Sequence, residues 1–185
     1  MKPSVDAGAL RDALEVLELK ESPAGTWAWT AVRKTWGQVT LTTKRNLFST
    51  VGLGARGAEI LLRRQDLRLH HALRWGEQHL FLTAILPEGR LHLRVQAALV
   101  DLAQCRAEAG DGAIFPAVLT EKHLKWEQPE PYSINRITYV LVTPKAIALT
   151  RGKLVEVNGV NYEVQLAHVL DPYKNEYEIV RTEDL

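Results

Sequence analysis

The sequence predicts a mainly all-β chain built as two tandem small barrels or sandwiches. The first observation is a hairpin signature at Leu154–Gln165, where apolar and polar residues alternate on both sides of Asn158-Gly159. Asn-Gly is the favoured two-residue turn because both positions tolerate positive φ. The second is the same grammar earlier in the chain: Ala72–Thr83 carries a short alternating run, a turn with Gly76, and a second alternating run. The third is their spacing. The two turn glycines lie 83 positions apart, close to half of the 185 residues, which points to internal duplication of one small β-domain. The expected domains are 1–101 and 102–185.

Taken in order, Leu14–Lys20 fits two periods. Leu14, Val16 and Glu18 share a strand face, while Leu10, Leu14 and Leu17 would line a helix. A helical or frayed start passing into a strand is expected. Ser22–Gly25 is a turn. Thr26–Val32 and Thr35–Thr42 are β-rich segments. Asn46–Gly57 places Gly52, Gly54 and Gly57 within six positions and reads as a loop; Glu59–Arg63 resumes order. Ala72–Trp75 and His79–Leu86 form the first hairpin, and Pro87-Glu88-Gly89 turns the chain. Leu91, Leu93 and Val95 oppose Arg90, His92 and Arg94, the pattern of a half-exposed strand. In the second half, Phe115–Leu119, Lys122–Trp126 and Ile137–Val142 read as strands, and Gln128–Tyr132 as a loop. Asp171-Pro172 is a turn, and Tyr177–Val180 is the last strand.

Composition is that of a globular protein, 46% apolar and 24% charged. No apolar run reaches the roughly 18 residues that a membrane helix needs. The first twenty residues do not read as a secretory signal. Cys105 is the single cysteine; it is expected as a small buried hydrophobe in a reducing compartment. Charge is uneven. Residues 1–30 carry a net −2, residues 31–100 a net +7 and residues 101–185 a net −4. No acid occurs between Ala31 and Ala58, whereas Arg33, Lys34, Lys44, Arg45 and Arg56 are basic. A basic middle between acidic ends orients one surface toward a polyanion, or else forms a solvated face.

Chemical motifs are weak. Gly52–Gly57 fits G-x-G-x-x-G, but the dinucleotide fingerprint needs a βαβ unit, and the flanking segments read as strands. His70 and His71 would point to opposite faces of an extended segment. His79 and His92 offer a cross-strand metal pair at most. No nucleophile motif, phosphate loop or carboxylate pair stands out. Hence no catalytic residue, no cofactor and no metal is expected, and the protein reads as a non-enzyme. Trp27 and Trp29 share a strand face, with Trp36 and Trp75 as possible neighbours in a base-stacking or protein-contact surface.

The stretch from Thr26 to Leu82, "TWAWTAVRKTWGQVTLTTKRNLFSTVGLGARGAEILLRRQDLRLHHALRWGEQHLFL", resembles the head–tail connector proteins of long-tailed bacteriophages, in particular the head-closure or stopper family. The likeness covers about Leu14–Val100, and the segment Thr138–Arg181 echoes the same plan. A usual member is a single such domain, so the second copy departs from the pattern. The resemblance implies a structural protein of the virion neck, assembled in the host cytoplasm. It implies a homo-oligomeric ring of about six or twelve copies between the portal or adaptor and the tail terminator or tail tube. Such a ring closes the DNA channel and offers a docking face to the tail. The family's channel loop falls on about Thr43–Gly57, so Lys44, Arg45, Gly52, Gly54, Arg56 and Gly57 are the residues expected near packaged double-stranded DNA, contacted non-specifically. Alternatives are a nucleic-acid-binding two-barrel module and a tail-terminator or adaptor ring of the same neck.

Overall fold

The computed structural model describes residues 10–42, 56–108, 112–121 and 138–184. Twelve strands run in the order β1 (Asp12–Glu21), β2 (Trp27–Thr42), β3 (Arg56–Arg63), β4 (Ala72–Trp75), β5 (Gln78–Glu88), β6 (His92–Val100), β7 (Ala103–Ala107), β8 (Ile114–Glu121), β9 (Thr138–Pro144), β10 (Leu154–Val157), β11 (Val160–His168) and β12 (Lys174–Arg181). Among the described residues, contacts group the chain into a unit ending at Asp101 and a unit starting at Leu102, with Lys20–Ala28 counted in the second.

Each unit contains a closed barrel. Around the first ring the order is β1-β2-β3-β6-β5-β4; around the second it is β7-β8-β9-β12-β11-β10. Adding six to every strand number of the first gives the second, so the two barrels share one topology. Local details repeat too. The β4–β5 turn is Gly76-Glu77, with Gly76 at φ 58°, and the β10–β11 turn is Asn158-Gly159, at φ 49° and 83°. Six residues past the first turn residue, each hairpin bulges: between Leu82 and Ala84 in β5, and between Val164 and Leu166 in β11. Two residues before the turn, Arg74 lies opposite Glu15 of β1, and in the second barrel Glu156 lies opposite Arg106 of β7. The same rung is kept with its charges exchanged. Shared ring order, turn length and bulge position are what a duplication leaves behind.

The N-terminal ambiguity resolves as strand. Leu14 and Val16 enter the first core at period two, while β1 pairs with β4 through Glu15, Val16 and Leu17. The expected helical start gives way because the extended form gains a ladder partner as well as burial. β2 is continuous through Arg33-Lys34, where the sequence reading broke it. Odd-numbered side chains turn inward there and even-numbered ones outward, so one charge sits on each face. At Gly37 a Cβ would lie 2.6 Å from Leu62 Cδ2 and 2.9 Å from the Leu61 carbonyl. Only glycine permits the β2–β3 approach at that point. β5 runs on through Pro87 and Glu88, so the tight turn is later than expected, with Gly89 at φ 63°. The expected strand at Lys122–Trp126 and loop at Gln128–Tyr132 lie outside the described residues.

Both interiors are filled by side chains, as small barrels require. The first holds Leu14, Val16, Ile60, Leu62, Leu73, Leu80, Leu82 and Val95, plus Leu67 from the β3–β4 connection. The second holds Cys105, Phe115, Leu141, Val155, Tyr162, Val164, Tyr177 and Ile179. Here Ile147 of the equivalent β9–β10 connection is buried. Its carbonyl accepts hydrogen bonds from Thr143 Oγ1 (3.0 Å), Asn175 Nδ2 (2.9 Å) and Tyr177 Oη (3.3 Å). Buried polar groups that find partners in this way pin the connection rather than weaken it.

Candidate nucleic-acid interface

The connection from β2 to β3 carries the residues expected near DNA. Lys44, Arg45, Gly52 and Gly54 lie outside the described residues. Arg56 and Gly57 do not belong to a loop as expected. They open β3: Arg56 pairs with Leu99, and Gly57, buried, is bracketed by Thr42 and Ala98. Two ladder partners hold Gly57 extended, whatever freedom glycine has. The Arg56 side chain is exposed at this end of the strand.

Most other arginines of the first barrel are engaged. Arg74 binds Glu15, with Arg74 Nε donating to Glu15 Oε2 at 2.8 Å. Arg94 joins Glu59 and Glu88, the latter at 3.0 Å, and these carboxylates hold its guanidinium above the usual arginine range, the Glu88 hydrogen bond first. Arg68 reaches Asp66 at 3.2 Å. Arg33 donates to Gln65 Oε1 at 3.0 Å and to the Asp66 carbonyl, while Gln65 donates onward to Thr35 Oγ1 at 2.9 Å. This last set ties the β3–β4 connection to β2. At the far end of β3, by contrast, Arg63, Arg64 and Arg90 are exposed. Sequence reasoning missed this grouping because Arg90 comes from another strand end.

The histidines do not assemble. His70 and His71 pack together with ring centroids 4.4 Å apart and planes tilted by 48°, rather than facing apart as expected, because residues 69–70 form a turn and not a strand. His71 Nδ1 accepts from the Arg68 N–H at 2.9 Å, which leaves Nε2 toward Glu18 at 3.4 Å. Burial, then the neighbouring His70, lowers the His71 pKa. His79 pairs with Val100 and His92 with Glu88, at opposite ends of the β5–β6 ladder, so the cross-strand metal pair does not form. His79 is 8% exposed and packs against Trp29 in a tilted contact, with ring centroids 5.3 Å apart. Burial and then Arg74 push its pKa down to about 4.

The tryptophans disperse. Trp29 covers His79, Trp75 packs on the first core, and Trp36, 59% exposed, stands on the outer face of β2. There it borders a cleft of about 480 Å³ with Lys34, Glu15, Arg74 and Glu77. Cys105 is buried in the second core, which pushes its thiol up to about 12. As a nucleophile it is inert at neutral pH. In the second unit, Lys145 Nζ donates to the carbonyls of Val169 (2.7 Å) and Asp171 (2.8 Å), and Asp171 Oδ1 accepts from Tyr173 and Lys174 N–H. These bonds fix a β11–β12 tip whose Leu170 is 99% exposed. Against known proteins, the chain matches no family model, no curated protein and no solved structure.

Proposed function

We propose that the protein is a structural component of a phage neck: a homo-oligomeric ring between portal or adaptor and tail that closes the DNA channel and presents a docking surface to the tail. The observation that carries this reading is the duplicated closed barrel whose β2–β3 connection contains the acid-free stretch with Lys44 and Arg45. A rigid barrel with a filled core suits a load-bearing ring, and a basic connection spanning Thr42 to Arg56 suits a non-specific contact with DNA phosphates. The resemblance of the first half to head-closure proteins points the same way. In this role the chain works without catalysis, metal or cofactor. Packaged double-stranded DNA, the portal or adaptor, and the tail terminator or tail tube are its partners in the virion.

The test is genome retention. The triple substitution Lys44→Glu, Arg45→Glu, Arg56→Glu leaves the fold intact and reduces the fraction of particles that hold their DNA, measured as nuclease-protected genome per assembled head. Full heads at the unsubstituted level would defeat the assignment of this connection to the channel.

A further inference from the structure

We infer that the barrel edge formed by the end of β3 and the start of β6 is a second phosphate-binding surface, built from Arg63, Arg64 and Arg90 and directed at the backbone of duplex DNA. The inference stands apart from the ring reading, because it needs only a nucleic acid within reach of the first barrel.

Three constraints bring these residues together. Arg63 lies directly opposite His92 on the β3–β6 ladder, and directly opposed residues share a face. Leu62 and Leu93 point into the core, so Arg63 and His92 both point outward. The Arg64 N–H donates to the Leu91 carbonyl at 2.8 Å, which brings that backbone against the β5–β6 turn. Arg90 precedes Leu91 in the same turn, after Gly89 at φ 63°. Residues 26 positions apart in sequence therefore meet at one edge.

Their chemistry differs from that of their neighbours. Arg33, Arg68, Arg74 and Arg94 each bond to an acid, an amide or a carbonyl. Arg63, Arg64 and Arg90 have no side-chain partner among the described residues. Glu88, which lies across His92 from Arg63 on the same rung, is engaged by Arg94. The cations are all arginines, whose planar fork matches a phosphate with two parallel hydrogen bonds. Residues 1–101, which hold the first barrel, carry 14 Lys/Arg against 10 Asp/Glu, net +4, whereas residues 102–185 carry 9 against 12, net −3. A polyanion is therefore steered to this barrel rather than to the chain at large. Leu91, 71% exposed, stands among them. One leucine contributes too little apolar burial to hold a membrane, since stable anchoring takes two signals of much larger area. The edge is distinct from the β2–β3 connection: Arg56 and Arg63 are the two ends of β3, about 23 Å apart at about 3.3 Å per residue.

The test is fluorescence anisotropy of the full chain with a labelled random-sequence duplex, across a sodium chloride series. Each phosphate contact contributes about 0.9 to the slope of log affinity against log salt. Arg63→Gln, Arg64→Gln, Arg90→Gln is expected to lower that slope by about 2 to 3 and to weaken low-salt binding at least tenfold. Its thermal transition should match that of the unsubstituted protein. The companion Lys44→Gln, Arg45→Gln, Arg56→Gln should retain the part of the slope that the barrel edge supplies. An unchanged slope in the edge variant overturns the inference, as does an unsubstituted protein that fails to bind duplex. Displacement of DNA by poly-glutamate at equal charge would reduce the surface to a general anion patch and also overturn it. So would depletion by phosphatidylserine-containing vesicles without binding to duplex. An unchanged slope in the edge variant leaves ring assembly and the β2–β3 connection untouched, so the neck reading and this inference fail separately.

Discussion

His79 makes the stability of the first barrel depend on pH in a way that can be worked out beforehand. Its imidazole is buried against Trp29, faces Arg74 across the β4–β5 ladder, and has an Nε2 without a hydrogen-bond partner among the described residues. A charged ring there would lose its hydration and meet a guanidinium, so the folded pKa falls from 6.5 to about 4. The folded state thus holds His79 neutral, while the unfolded chain takes up a proton below about 6.5. Stability is fully present above the unfolded pKa and declines as pH falls from 6.5 toward 4. The gap of about 2.5, at 1.36 kcal/mol per unit, gives a total loss of about 3 kcal/mol, of which about 2 kcal/mol is lost by pH 5. Urea unfolding of the unsubstituted chain and of His79→Gln, at pH 8 and pH 5, isolates this contribution, because other groups, including His71, cancel in the difference. The advantage of the histidine protein over the variant should shrink by about 2 kcal/mol between the two pH values. A difference that stays constant to within about 0.5 kcal/mol would refute the argument, as would an NMR titration placing the His79 midpoint above 6.

Gly37→Ala pushes a methyl group into Leu62, Leu14 and the Leu61 carbonyl, all within 2.9 Å of the added carbon, and should cost about 1–3 kcal/mol by chemical denaturation; a loss below about 0.5 kcal/mol would show that β2 and β3 separate easily there. Asn175→Ala removes donors to Lys145 O (3.2 Å) and Ile147 O (2.9 Å), but also removes a buried Oδ1 that has no partner among the described residues. The net loss is therefore expected at the lower end of about 1–3 kcal/mol. An unchanged or raised melting temperature would contradict the pinned β9–β10 connection.

The parts of this fold that the sequence discloses are those set by local chemistry. Ala72–Trp75 was legible to the residue, and the Asn158-Gly159 turn with its flanking strands was legible because two-residue turns restrict what can occupy them. Spacing of the two turns pointed to duplication, yet the ring order shared by the barrels depends on pairings between distant strands, which no local pattern carries. β7 shows this well. Ala103–Ala107 has no β-branched residue and became a strand through its partners β8 and β10. Arg33-Lys34 falls between two β-rich segments in the sequence, and only the pairing of β2 shows that the strand runs through it. The candidate site divides in the same way. The acid-free run around Lys44 and Arg45 is visible in composition, whereas Arg63, Arg64 and Arg90 group only once the β3–β6 register is known. Period two puts Trp27 and Trp29 on one strand face and leaves Trp36 and Trp75 open as neighbours; the fold sends Trp29, Trp36 and Trp75 to separate places.

The central claim, a closed ring of a two-barrel chain, is tested most directly by counting chains in the assembled particle. Light scattering on the purified protein, alone and with the portal or adaptor that the proposal assigns to it, followed by image reconstruction without imposed symmetry, supplies the count. The account predicts a closed ring of about six or twelve chains, with six presenting twelve related barrels to a twelve-fold neighbour. A protein that stays monomeric at every concentration, and in the presence of the proposed portal or adaptor, would contradict it.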